Sequence, residues 1–425
     1  MRLTAATECS DPSTIDALDP SWYATGDPHS FWRHLRAERP VYWHETSDNP
    51  GFWILTRHSD VCDVLRRFKD FTSEPGNLLT TLGKKDLASG KMLAVTDPPR
   101  HTAIKRQINS CFTKTAVEAL EPEVRRLARR MFVPAVQGEV FDFALQSAFF
   151  PIAVTALLMG IDQRDWYRLK QFAYVAIADQ DPDMTSGNRS RALEWSHSEI
   201  FSYFSVELAK DNSRRRDLIG AIAAARIDDR PLSREERLFN AYSVLLGATV
   251  TTSHSANVAL LALSENPNVF SDWKAATADE SFIEEVFRWS SPANHFVRYA
   301  TRDVVIRDTL IREGDPVTVW LGSANRDEEI FDAPYLFDIH RDPRLHIAFG
   351  VGAHRCIGAP LARLAIRIFS EEARRLISSL EVSHGVEHLS SNFIAGIKRL
   401  PIQIELTNDA RRELSSLEPF VDEAM

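Results

Sequence analysis

One stretch constrains this chain more than any other: Phe349-Gly-Val-Gly-Ala-His-Arg-Cys-Ile-Gly-Ala-Pro-Leu-Ala-Arg363. It sets a single cysteine, Cys356, between a glycine-punctuated loop and a helix that Pro360 can open, because proline in a first helical turn forfeits no intrahelical hydrogen bond. Gly350, Gly352 and Gly358 have no Cβ, so the backbone there can run close against something flat and bulky. A sulfur just ahead of a helix N-terminus meets the positive end of the macrodipole and unpaired N–H donors, which favour a thiolate. His354 and Arg355 add positive charge beside it. Such a thiolate suits either a nucleophile or a ligand to a soft metal centre. The blander alternative is a cysteine buried in a tight turn as a small hydrophobe.

The spacing Phe-Gly-x-Gly-x-His-x-Cys-x-Gly, with every fixed position filled, resembles the haem-thiolate loop of the cytochrome P450 family. The resemblance implies that Cys356 is the axial ligand of a haem iron, that Phe349 packs beside the sulfur and that His354 reaches a haem propionate. The implied cofactor is haem b (heme b, iron protoporphyrin IX). A thiolate ligand pushes electron density toward O–O cleavage.

Composition is compatible with this and excludes several other classes. Hydrophobic residues make up 44% of the 425-residue chain and charged residues 26%, ordinary values for a large core. A net charge of −9 argues against nucleic-acid or anionic-membrane binding. Cys9, Cys62, Cys111 and Cys356 lie far apart, which fits neither a disulfide framework nor a zinc or iron–sulfur site and suits a reducing cytoplasm. No basic start followed by an apolar run opens the chain, so residues 1–20 are expected to form a loose tail without a signal or anchor. Ala241 to Leu263 lacks charged residues but holds many hydroxyls, which points to a buried helix rather than a membrane span.

Apolar periodicity predicts helices over Pro28–Arg39, Ser59–Phe68, Asp97–Phe112 (opened by Asp97 as an acidic cap, then prolines in the first turn), Thr115–Pro134, Leu145–Met159, Asp165–Ala178, Arg191–Lys210, Leu218–Arg226, Ser233–Leu263 and Asp279–Trp289. Strand-like runs fall at Val41–Trp43, Phe52–Leu55, Phe296–Ala300, Val304–Ile306 and Pro316–Leu321. Asp48-Asn49-Pro50-Gly51 carries turn chemistry, Thr72–Ala94 reads as a loop, and Ser213–Asp217 as a solvated basic connection. The fold class is therefore mainly α (α+β): one large domain over residues 21–410 with a long central helix, followed by a tail at 411–425.

Further residues take roles from the resemblance. The family places a His, followed four residues later by an Arg, beside the propionates. Here His101 is followed by Lys105, with Arg106 next; lysine offers a point charge but no bidentate fork. Arg298 stands at another propionate position, although alone it reads as an ordinary strand arginine. Glu285 and Arg288 share one helix face and alone read as a surface ion pair. The family carries Glu-x-x-Arg here, with a third arginine in a later meander matched by Arg341. These three are expected to position the thiolate loop rather than perform chemistry. Leu245, Gly247, Ala248, Asn294, His295, Phe296, Val297 and Ile394 fall at substrate-wall positions, with Asn294 and His295 suggesting a substrate that forms hydrogen bonds.

One departure from the family stands out. Its oxygen-activating helix usually reads Ala/Gly-Gly-x-Asp/Glu-Thr-Thr, and this chain reads Gly247-Ala248-Thr249-Val250-Thr251-Thr252. Thr251 and Thr252 are the candidate catalytic hydroxyls, but Val250 occupies the acid position and cannot carry a proton. Either the two threonines and water suffice, or the substrate supplies a polar group, or the reaction is oxidative coupling, nitration or peroxide-driven chemistry. His254, three residues beyond Thr251, is a further candidate helper. The reading is a bacterial-type haem-thiolate monooxygenase acting on a small organic substrate in specialised metabolism, with a non-catalytic haem binder as the remaining alternative. It is expected to be a cytoplasmic monomer that binds neither nucleic acid nor membrane. A ferredoxin and a ferredoxin reductase would supply electrons, docking near Arg355 and Arg363.

Overall fold

Strand pairing brings together segments remote in sequence. In a computed structural model, which describes residues 11–47, 50–275, 279–342 and 344–421, the largest sheet has five strands: β1 (Val41–His44), β2 (Phe52–Leu55), β3 (Phe71–Thr72), β4 (His295–Ala300) and β5 (Pro316–Trp320). Their order is β1-β2-β5-β4-β3. β5 runs parallel to β2, with Val317 opposite Trp53, and antiparallel to β4, with Val317 opposite Arg298. Every residue of β5 is buried, as befits a central strand covered on both faces.

Eight helices position the site: α1 (Arg100–Ile108), α2 (Phe149–Met159), α3 (Trp166–Ile177), α4 (Arg189–Ala209), α5 (Arg234–Thr249), α6 (Thr251–Glu265), α7 (Asp279–Ser290) and α8 (Ala359–Leu376). α5 opens on a reciprocal cap in which Ser233 accepts from the Glu236 N–H and Glu236 accepts from the Ser233 N–H. α6 is buried from Thr252 through Leu263, and a helix enclosed on all sides belongs at the centre of a large core. The axis through α5 and α6 is long and apolar enough to cross a membrane, yet 78% of that window is buried within the fold.

The predicted long helix is divided at Val250, where φ is −105°. Local hydroxyls explain the break. Thr249 donates to the Leu245 carbonyl, Thr251 to Gly247, Ser253 to Val250 and Ser255 to Thr251. Such side-chain bonds compete with the backbone ladder and bend helices. The predicted helix over 115–134 is likewise split, into Lys114–Glu118 and Glu121–Arg130, with Pro122 in the first turn of the second piece.

Three segments differ from expectation. Arg215 in the basic connection is not simply solvated: it binds Glu207 and Asp217 and donates to the Met159 and Gly160 carbonyls. Within the expected tail at 411–425, the described residues 411–421 pack on the domain: Leu414 is fully buried at the end of a helix over Asn408–Leu414. Phe420 stacks on Phe149 beneath the Arg130 guanidinium. Of the expected N-terminal tail, residues 1–10 lie outside the described residues, as do Asp48 and Asn49 of the turn; beyond residue 10, Ala17 is buried and a helix begins at Pro20.

Candidate active site

The stretch around Cys356 forms a stiff loop. The Cys356 N–H donates to the Phe349 carbonyl (2.8 Å), Arg355 N–H to Gly352 (3.2 Å) and Gly350 N–H to Ile347 (2.8 Å). Gly352 adopts φ +74°, and a Cβ there would stand 2.5 Å from the Leu65 carbonyl oxygen. Gly352→Ala is therefore expected to cost more than the ~1–2 kcal/mol of a left-handed alanine, because backbone must also give way. Gly138, at φ +75° with open space around it, is the control. Thermal unfolding should show Gly352→Ala falling further than Gly138→Ala; equal shifts would contradict the clash.

Cys356 opens onto a cavity of about 760 Å³ whose lining includes Gly247, Thr251, His101, Arg298, Phe296 and Ile394. Cys356 is exposed to the cavity, yet desolvation by the surrounding fold pushes its thiol up, while the N–H groups of Gly358 and Ala359, together with Lys105 and Arg363, act against that shift. Phe349 is pinned beside the loop: the Arg363 guanidinium lies 4.5 Å from its ring centre, and the Phe287 ring 4.7 Å. Arg363 is held in turn by Glu284 through two bonds of 2.6 and 2.7 Å, and His346 lies 2.8 Å from the same carboxylate. Sequence reasoning missed Glu284. Its only signal was the doubled acid Glu284-Glu285, of which the second matched the motif.

Beneath this lies the expected triad. Arg288 donates to Glu285 from Nε (2.6 Å) and Nη2 (2.7 Å), and Arg341 Nε lies 3.4 Å from the same carboxylate. Arg288 also donates to the carbonyls of Asn325, Pro334 and Leu336, so it staples α7 to the segment that leads into the cysteine loop.

One end of the cavity is crowded with basic groups. The His101 and His354 rings are 4.3 Å apart, and His101 Nδ1 is buried without a hydrogen-bond partner. Burial, then the His354 and Lys105 charges, push the His101 pKa down to about 3. Burial also lowers Arg298 to about 10, and its guanidinium donates to the Val297 carbonyl. Asp97 is the carboxylate among them. Burial would raise it, yet His354, Thr72 and Ser73 hold it at about 2. It too was read only as a helix opener. A cluster this short of negative charge is costly unless an anionic ligand completes it.

These residues fit haem. Among the described residues no group of three His, Cys, Asp or Glu side chains forms a bare-metal site. A metal at Cys356 has to bring its other ligands with it, as a porphyrin does, and two propionates would give the His101 Nδ1 a partner and balance the Arg298 guanidinium. Arg106 is exposed and stands off the cavity. Lys105 lines the cavity but directs its ammonium to the Ala353 (2.8 Å) and Arg355 (2.7 Å) carbonyls.

The opposite wall belongs to α5 and α6. Val244, Gly247, Ala248 and Thr251 line it at helical spacing, with Thr252 alongside. Leu245 falls on the other face and is buried in the main core. Val250 also points away, into an apolar cluster with Ala148, Tyr174, Ala178, Leu389 and Ile394. His254 is buried off the cavity against Gly396. On β4 the pleat alternates, so Phe296 and Arg298 face the cavity while His295 and Val297 turn into the sheet core. His295 packs on Trp320 with its Nδ1 3.2 Å from the Asn392 carbonyl, and Asn294 donates to that same carbonyl. The polar wall expected from Asn294 and His295 is thus spent on anchoring the Asn392 turn. The expected roles of Leu245 and Val297 likewise become packing.

Comparison with known proteins agrees with this geometry. Residues 279–389 match the family profile described as Cytochrome P450. The chain is 34% identical over 405 residues to cytochrome P450 NovI of Streptomyces niveus, covering 93% of this chain and 97% of that protein. It is 30% identical over 407 residues to linalool 8-monooxygenase of Pseudomonas putida, covering 91% and 98%. Among solved structures, P450 OxyD, described as involved in the biosynthesis of vancomycin-type antibiotics, superposes with a TM-score of 0.83 at 28% identity, over 92% of this chain and all of that one. Cytochrome P450 CYP268A2 of Mycobacterium marinum, solved with pseudoionone, gives 0.84 at 27% identity over 94% and 100%. A sulfur on a glycine loop, a cavity above it with a basic end, and full-length similarity together make this chain a member of the cytochrome P450 family.

Proposed function

We propose that this haem-thiolate monooxygenase tailors a specialised metabolite in a bacterial cytoplasm, acting as a monomer on a small organic substrate. The observation that carries the reading is the Cys356 sulfur, open to a cavity whose lining also gathers His101, Arg298 and His354. Haem b held there supplies activation of dioxygen and delivery of one oxygen atom to the substrate. Cys356 would hold the iron, and His101, Arg298 and His354 would pair with the propionates. Gly247 and Ala248 keep the helical wall of the cavity slim, which would leave room for dioxygen beside a bound haem. Thr251 and Thr252, at their Oγ1 atoms, hold and pass the protons that the reaction consumes, since a hydroxyl both donates and accepts. Val250 takes no part in that traffic. Phe296, Ile394 and Val244 give the wall apolar surface that excludes water from the reacting carbon.

The similarity to OxyD, which is described as involved in the biosynthesis of vancomycin-type antibiotics, supports a role in specialised metabolism. A ferredoxin and its reductase would deliver electrons on the side where exposed Arg355 lies. The test is spectroscopic. Reduced protein with carbon monoxide should show the carbonyl band of thiolate ligation, and Cys356→Ser should abolish it. A wild-type spectrum typical of imidazole ligation, or a band surviving in Cys356→Ser, would overturn the reading. Labelled dioxygen should place label in the product.

A further inference from the structure

Lys105 occupies a position where the family resemblance leads one to expect a cation paired with a carboxylate of the cofactor. Its geometry here is different. Nζ donates to the carbonyls of Ala353 and Arg355, at 2.8 and 2.7 Å. Those carbonyls flank His354, and the second belongs to the peptide bond that enters Cys356. α1 is thereby tied to the cysteine loop at two points two residues apart. An ammonium has three rotatable donors on a flexible stem and can cap two carbonyls two residues apart, where a planar guanidinium presents a fixed fork. The loop's own bonds, from Cys356 to Phe349 and from Arg355 to Gly352, hold it from within. Lys105 adds a hold from outside the loop. His101, Arg298 and His354 already supply basic groups at the propionate end.

We infer that Lys105 is a positioning residue for the Cys356 sulfur, clamping the loop through the Ala353 and Arg355 carbonyls rather than anchoring a propionate. This rests on the haem-thiolate reading. Charge-assisted bonds of this kind are strong, and losing both should shift the balance between thiolate-ligated and misligated protein by about tenfold or more.

The test compares Lys105→Met with Arg298→Met in haem-loaded protein, using two readouts. One is the fraction of the reduced carbonyl complex in the thiolate band under mild urea. The other is the rate of haem transfer to an excess of apomyoglobin. Lys105→Met should lower the thiolate fraction in mild urea, while its haem transfer, measured without urea where the sulfur stays bound, should remain well below that of Arg298→Met. Arg298→Met should speed haem transfer. Lys105→Gln, which keeps amide donors without the charge, should lose less of the thiolate fraction than Lys105→Met. The inference is overturned if Lys105→Met speeds haem transfer as Arg298→Met does, or leaves the thiolate fraction at the wild-type level. A wild-type protein with no thiolate band would instead overturn the underlying reading, so the two failures are distinct.

Discussion

Glu285→Ala is expected to remove about 3–5 kcal/mol of stability, the cost of breaking a buried ion pair from one side. The Glu285 and Arg288 side chains are each 1% exposed. The carboxylate accepts from Arg288 Nε and Nη2 and from the Asp338 N–H at 2.9 Å, with Arg341 nearby. Alanine leaves the Arg288 charge buried with only backbone carbonyls for company, and it frees the segment that leads to the cysteine loop. Since folded domains hold only ~5–15 kcal/mol in total, a large share of this protein's margin would go. Urea unfolding should show the loss directly, and purified Glu285→Ala should carry less haem per chain. Glu285→Gln keeps the acceptor geometry in part and should cost less. A double change to Leu at 285 and Met at 288 should cost less than the two single changes added together, because no charge is left stranded. A loss below about 1 kcal/mol for Glu285→Ala would mean the triad behaves as a surface pair.

What could be read in advance divides along physical lines. Cys356, its glycines and the Glu285–Arg288 spacing were legible because each is a local pattern whose chemistry depends on near neighbours. The central helix was legible as a charge-free run, but not its break: alternate hydroxyls at 249, 251, 253 and 255 look like ordinary helix residues until each is seen bonding a carbonyl. Direction was the main loss. Family position placed Asn294, His295 and Val297 on the substrate wall, whereas the β4 pleat turns His295 and Val297 inward and Asn294 is committed to the Asn392 carbonyl. Glu284 and Asp97 were passed over because their partners, Arg363, His354 and Ser73, are remote or unremarked in sequence. The same blindness to long-range partners made residues beyond 410 look like a tail.

Val250→Glu is the second large effect, and its expected sign is opposite to what the family pattern suggests. Restoring an acid at that position ought to restore a proton relay if the side chain faced the cavity. It does not: Val250 is fully buried among Ala148, Tyr174, Ala178, Leu389 and Ile394. An introduced carboxyl would have its pKa raised by desolvation among these apolar side chains, which favours its neutral form. It would also overpack a filled site. The expected cost is roughly 2–5 kcal/mol from overpacking and burial of a polar group, with no gain in the fraction of electrons recovered as oxygenated product. Val250→Thr, nearly the same shape, should lose about 1 kcal/mol from its buried hydroxyl and leave coupling unchanged. Thermal unfolding and the ratio of product to electrons consumed give both answers. If Val250→Glu proved as stable as wild type and coupled better, the helix break would have to reorient when the cofactor binds, carrying residue 250 onto the cavity face beside Thr251.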